Sequence, residues 1–315
     1  MKISFVSRCD YSLLTENMAK AFSRFGHTVS VFDLKRYRIH DKYLSKSYSG
    51  KKLKTHLDRV KPEMIFVVAP LFLPVETLDV VGAYHRRQGG ITAGWIGDTF
   101  TLSDETKQKL SHFDRYYVTD THLLAFAGLD ADAYLPLATD PDLFQPRGTA
   151  RNINCSFIAS RTDNRSDFLT EVKTPINVYG PGWKGYANHI ESHSFSPGGI
   201  SLKETADIYA RSKSVVNLKN AVNVVNGLNQ RSFDPCASGA VLIHDYVADL
   251  ELHFDLEKEV VVFHDVPEFE SGYERIVGDP ATAQKIAEAG RRRVLNEHTY
   301  FHRAKHVLKD LAISS

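Results

Sequence analysis

The chain opens on short apolar runs that alternate with longer amphipathic segments. KISFVS at Lys2 to Ser7 has strand length, Thr15 to Phe25 repeats apolar residues at helical spacing before Gly26, and HTVSVFDL is a second strand-like run. Strand, helix, strand in that order predicts a parallel pair joined by a right-handed crossover. A basic polar stretch follows from Arg36 to Pro62, with helical pattern toward its end. The rhythm then resumes with strand MIFVVAP, helix VETLDVVGAYHRRQ, and strands ITAGWIGD, DRYYVTD and AYLPLA. Runs as apolar as MIFVV belong to strands covered on both faces.

The segment TDPDLFQPRGTARN is rich in Pro, Asp and Gly and predicts a linker. Beyond it the pattern restarts, with strands INCSFIAS, INVYG, SVVNLKN, AVLIHD and EVVVFHD separated by helices SDFLTEV, KETADIYARS and QRSFDPCASG. Helices are also expected over Pro267 to Ile276 and Ala281 to Leu295, and in a tail with an apolar stripe at Val307, Leu308 and Leu311. The expected domains are therefore 1–146 and 147–298, with 299–315 a terminal helix. A length of 315 residues fits two cores of roughly 150 residues each.

Composition narrows the function classes. The 39 basic and 38 acidic residues leave a net charge of +1, so no global field favours nucleic acid or an anionic membrane. The basic stretch Lys35 to Lys61 offers a local patch for peripheral membrane contact, a solvated face being the simpler reading. MKISFVSRC becomes charged too soon for a signal peptide, and no apolar run approaches the ~20 residues that span a bilayer, so a cytoplasmic protein is expected. Cys9, Cys155 and Cys236 are odd in number and far apart, which argues against a disulfide framework or a zinc site. The nearest metal-type pairs are His244 with Asp245 and His298 with His302, the latter read as four apart on one helix. Without a zincin glutamate, no metal is expected.

The segment Gly227 to Gly239, GLNQRSFDPCASG, carries the most chemistry. As a helix opened by Gly227 or Asn229 and ended by Gly239, it sets Arg231 and Asp234 on one outward face near a helix start, where backbone N–H groups gather. A cation, a carboxylate and free amides suit a diphosphate and a ribose; a solvated helix pair is the plain alternative. Gly180 and Gly182 form a turn after INVYG that lets backbone approach a ligand, and Trp183 either stacks on a base or packs beneath the loop.

Several segments together resemble the GT-B glycosyltransferases, most closely the spore-maturation-protein-B-like branch of the group 1, family 4 type. They are FIASRTDNRSDFL, VYGPGW, VVNLKN, GLNQRSFDPCASGAVLIHDYVADLELHF, KEVVVFHD and IAEAGRRRVLNEHTYFHRA, with AYLPLATDPDLFQP as the joining segment. The likeness runs from about residue 134 to residue 307. It implies an α/β GT-B fold: two doubly wound Rossmann-like domains facing a central cleft, with the C-terminal helix crossing back to the first. It further implies a metal-independent hexosyl- or related transferase (EC 2.4) without a cofactor, acting as a monomer or homodimer. The donor would be a nucleotide-diphosphate sugar, UDP-sugar first and GDP- or dTDP-sugar next, and the acceptor a glycan precursor, protein, small molecule or nucleic acid.

The resemblance also distributes roles. Arg231 answers the diphosphate, with Asn217 and Lys219 beside it; Ser160 and Arg161 meet the phosphates; Gly180, Gly182 and Trp183 line the turn. Asp234 stands where the branch more usually has a ribose-binding Glu, and Asn226, Gly227 and Asn229 would reach the sugar, because the family's pair of glutamates seven residues apart is absent. Asp98, Asp10 and His122 are the acceptor-side candidates for a base, Asp98 first, while Asp120 is read as the N-cap of the helix THLLAF or as a base. If configuration is retained, no protein base is needed. Two other classes compete: a non-catalytic nucleotide-sugar or glycan binder, favoured by the missing glutamate, and a dinucleotide oxidoreductase, disfavoured because SRCDYS replaces GxGxxG after the first strand.

Overall fold

The structure is a computed structural model that describes residues 1–8, 12–43, 48–186 and 192–313; Cys9 and Asp10 lie outside the described residues. The chain divides into two compact units, Met1–Pro136 with Tyr300–Ser315, and Leu137–Thr299.

Unit 1 runs β1 (Lys2–Ser7), α1 (Ser12–Arg24), β2 (Thr28–Asp33), α2 (Arg38–Tyr43), α3 (Tyr48–Val60), β3 (Met64–Val68), α4 (Val75–Gln88), β4 (Ile91–Ile96), α5 (Asp104–Leu110), β5 (Arg115–Val118) and α6 (Thr121–Ala127). All five strands are parallel, in the order β2-β1-β3-β4-β5. Every residue of β3 is buried, as its unbroken apolar run requires. Phe5, Phe22 and Phe66 pack on one face of the sheet with ring centroids 5.2–6.1 Å apart, and Leu53, Leu57, Leu78 and Val81 join a cluster with Ile65 and Val67. AYLPLA does not make the expected strand: Tyr134 forms one bridge to Val118, and Pro136 has no N–H to continue a ladder.

Unit 2 runs β6 (Ile153–Ile158), α7 (Asp163–Glu171), β7 (Asn177–Gly180), β8 (Ser194–Pro197), α8 (Leu202–Arg211), β9 (Ser212–Asn217), α9 (Asp234–Ala237), β10 (Val241–Asp245), α10 (Leu250–His253), β11 (Val261–Phe263), α11 (Val266–Gly278) and α12 (Pro280–Glu297). Its six parallel strands take the order β11-β10-β9-β6-β7-β8. Phe157, Leu169, Val178, Val216, Ile243 and Phe269 lie in its core. The expected linker is built into this unit: Thr139 is fully buried, and Phe144, also buried, packs on Tyr209 with centroids 6.1 Å apart. The division consequently falls at Pro136 rather than at residue 146.

The last helix, α13 (Tyr300–Asp310), belongs to unit 1. Arg115 of β5 donates from Nε to Asp310 (2.9 Å) and from Nη1 to Asp130 (2.7 Å), and the Tyr117 hydroxyl donates to Asp310 at 2.8 Å. The buried Arg303 donates to the Pro136 carbonyl at 2.7 Å, and Phe301 stacks on Phe25 at 4.4 Å.

Candidate functional site

In unit 2 the strand order reverses between β6 and β9, and ligands of open parallel sheets bind outside the carboxyl ends of strands at such a switch point. The loops after β6 and β9 meet there through Arg165 on the first turn of α7. Its Nη1 donates to the Ser160 carbonyl and its Nη2 to the Leu218 carbonyl, both at 3.0 Å. Arg165 is almost fully buried, and burial first, then the neighbouring Arg231 charge, pull its guanidinium down to about 10. Ser160 and Arg161 stand exposed above this clamp, Arg161 over the Tyr186 ring at 5.0 Å. Nothing in the local sequence singles out Arg165, an arginine in a helical run, as a brace between two distant carbonyls.

Below the switch point lies a closed polar network. Asn217 at the end of β9 is fully buried; its Nδ2 lies 2.9 Å from His244 Nε2 and 3.2 Å from both Asn229 Oδ1 and Ser232 Oγ. Ser232 Oγ is 2.8 Å from the same His244 Nε2. An amide nitrogen only donates, so Nε2 accepts and the imidazole proton sits on Nδ1, which faces the Asp245 carbonyl at 2.6 Å and carboxylate at 3.0 Å. The Asp245 carboxylate also accepts from the Lys219 backbone N–H at 3.0 and 3.2 Å. Asn217 is thus a strut under the site with no free face for a ligand.

The segment after this loop is a 3-10 turn, Gln230–Ser232, followed by the single-turn α9, and not the continuous helix expected. Pro235 explains the break, because proline is accommodated in a first helical turn and breaks an interior. Asn229 caps the turn by accepting from the Arg231 N–H at 2.8 Å. Arg231 is half-buried, with an Nε that has no hydrogen-bond partner. Asp234 does not share an outward face with it: the carboxyl is 5% exposed and accepts from Thr139 Oγ1 at 2.7 Å. Burial pushes Asp234 up to about 8, outweighing the Thr139 bond and the Arg231 charge. Asn226 is half-buried and Gly227 buried, both on the loop leading into Asn229.

In the turn after β7, Trp183 takes the second of its two expected places, packed beneath the loop. A Cβ on Gly180 (φ 129°) would lie 2.4 Å from the Ala159 carbonyl oxygen, and one on Gly182 (φ 87°) 3.0 Å from Arg161 Cβ. These glycines let two protein loops close on each other, tied by the Arg161 N–H to the Pro181 carbonyl at 3.0 Å. Trp183 is fully buried, donates to the Ala159 carbonyl at 2.8 Å and packs among Phe157, Tyr186 and Phe195, so its indole is core and offers no stacking face.

In unit 1, Asp98 follows β4, half-buried, and His122 lies exposed on α6 after β5. Asp120 N-caps α6 by accepting from the His122 N–H at 2.9 Å. The reversal of this sheet falls between β1 and β3, one strand from Asp98, and the residue after β3, Ala69, holds a left-handed φ of 53°. Asp10, after β1, lies outside the described residues. His298 ends α12 and His302 sits on α13, so that pair shares no helix face.

Two parallel-sheet units of these orders, closed by a last helix that joins the first unit, define one architecture. The fold is GT-B. Residues 161–309 match the family model described as glycosyl transferase-like. A glycosyltransferase from Rickettsia africae aligns at TM-score 0.72 and 12% identity, covering 98% of this chain and 97% of its own. Anabaena HepE in complex with UDP-glucose aligns at TM-score 0.69 and 10% identity over 99% of each chain. The UDP-GlcNAc 2-epimerase from Neisseria meningitidis bound to UDP-GlcNAc aligns at 0.58 and 9%, over 99% of this chain and 100% of its own, so GT-B similarity at this distance carries the fold and not the reaction. No curated protein sequence matches the chain. Among the described residues no helix is long and apolar enough to cross a membrane.

Proposed function

We propose that this chain is a cytoplasmic glycosyltransferase of the spore-maturation-protein-B-like type that takes its sugar from a UDP-sugar. The observation that carries the reading is the pair Arg165 and Arg231 at the unit-2 switch point. One guanidinium is fixed by two strand-end carbonyls, and its neighbour keeps a buried Nε unpartnered. Burial lowers the Arg165 guanidinium first and the Arg231 charge lowers it further, and an anion between the two would relieve that repulsion. A departing diphosphate brings that anion, and its charge grows as the sugar bond breaks, so preorganised donors favour the transition state over the ground state. Lys219, Ser160 and Arg161 complete the phosphate side, which assigns charge neutralisation to side chains without a metal. The UDP-glucose held by the HepE neighbour and the glycosyl transferase-like match over unit 2 support a UDP-sugar donor.

Asn226 and Asn229 face the sugar in this reading, and Asp98 and His122 serve the acceptor, a glycan precursor. Calorimetry with UDP tests the donor side. UDP should bind the native chain with one-to-one stoichiometry, and Arg231→Ala should weaken it about tenfold or more while leaving the melting temperature near the native value. Equal UDP affinity in the two proteins would sink the assignment. Turnover is tested separately, by release of UDP from UDP-sugars in the presence of glycan acceptors.

A further inference from the structure

At the amino ends of β6, β9 and β10, the end of the sheet opposite the site above, unit 2 contains a hollow of about 660 Å³. Val241, Ile276, Ala283 and Ala287 give it apolar walls. Ala283 and Ala287 are four apart on α12 and so lie side by side, and their small side chains leave the space open. Three cations line the same hollow: Arg151, Lys213 and Arg291. Arg151 donates to the Ser212 carbonyl at 2.5 Å and to the Ser238 carbonyl at 2.8 Å; Arg291 donates to the Ala237 carbonyl at 3.2 Å. Consecutive carbonyls therefore seat the two guanidinium groups as neighbours, and Lys213 follows Ser212 directly. Neutral carbonyls position these charges without cancelling them, and among the described residues none of the three has a carboxylate partner. Glu288, the single acid in the lining, accepts from Gln284 at 2.8 Å.

We propose that this hollow binds a small amphiphilic anion, a molecule with an apolar body and a carboxylate or phosphate head. The body lies against Val241, Ile276, Ala283 and Ala287; the head meets Arg151, Lys213 and Arg291. The volume suits a compact organic ligand, and apolar walls with a few convergent polar groups are what such sites present. Held guanidinium groups match carboxylate and phosphate oxygens with paired donors. The site is separate from the proposed donor site and does not depend on it.

Isothermal calorimetry on the full chain tests this with dodecyl phosphate and dodecanoate below their micellar concentrations, against dodecanol, dodecyltrimethylammonium and inorganic phosphate. Both anionic amphiphiles should bind with one-to-one stoichiometry, about tenfold or more tighter than dodecanol, and inorganic phosphate should not displace them. Lys213→Glu, at an exposed position, should weaken dodecyl phosphate about tenfold while leaving UDP affinity unchanged; Ala283→Phe should abolish its binding by filling the hollow. Equal binding of the cationic amphiphile, no saturable binding, or an affinity unmoved by Lys213→Glu overturns the proposal, and Lys213→Glu decides it alone if Ala283→Phe fails to fold.

Discussion

At Asp234 two opposing effects are set against each other, and burial wins: a good hydrogen bond from Thr139 does not keep the carboxyl in its usual range. In the unfolded chain this group loses its proton near its ordinary value of about 4, and in the folded chain near 8. The stability it contributes is thus full below about pH 4 and is lost as pH rises toward 8. Asp234→Asn removes the titration, so the variant should gain in melting temperature relative to the native chain between pH 4 and pH 8; a constant difference across that range would contradict the reading. His244 is a buried ring with both nitrogens occupied. His244→Leu would strand the Asn217 and Ser232 donors, costing about 3 kcal/mol in urea denaturation and loosening the Arg231 turn enough to weaken UDP. The residue types at the strand ends were legible in the sequence: Ser160, Arg161, Lys219 and Arg231 all fall at the carboxyl edge of the unit-2 sheet. Which of their polar neighbours turn inward was not, because Asn217 and Asp234 are buried by partners far along the chain. Thr139 meets Asp234 across 95 positions and Arg165 reaches Leu218 across 53, separations that no local pattern reports.

Among elements, the periodicity of strands and long helices translated almost directly into β1, β3, β4, β6, β9 and β10, because fully apolar runs can satisfy themselves only inside a covered sheet. The short elements did not. β8, SFSP, carries a single large apolar residue, Phe195, in a four-residue run, too little to announce a strand. GLNQRSFDPCASG did contain its own correction in Pro235, which a helix begun at Asn229 would have placed in its interior. Gly180 tests how tightly the turn after β7 is constrained. Gly180→Ala meets a left-handed backbone and a carbonyl oxygen at 2.4 Å, neither of which can yield cheaply, so it should cost about 2 kcal/mol or more by chemical denaturation. A smaller loss would mean that the Ala159 and Pro181 loops are free to part.

For the whole molecule, the sequence pattern separates two α/β cores but hides that they are wound differently. Unit 2 reverses between its first and fourth strands, and unit 1 between its first and third, a difference that resides in long-range pairing. It also hides that Asp310 completes unit 1. Asp310→Ala leaves the Tyr117 hydroxyl without its acceptor and Arg115 with Asp130 alone, and should lower the stability of unit 1 by about 1–3 kcal/mol while leaving UDP affinity unchanged. Limited proteolysis would follow the loss through earlier cleavage within 1–136. Because α13 is encoded after all of unit 2, protein synthesis reaches the two units in an order that the numbering conceals. At the usual pace of a ribosome, Phe301 arrives roughly ten to thirty seconds after Pro136, and until then the Phe25 ring and the Arg115 cluster lie open. The segment that starts first therefore finishes last, and the nascent chain must shelter an unfinished apolar face while its second unit folds.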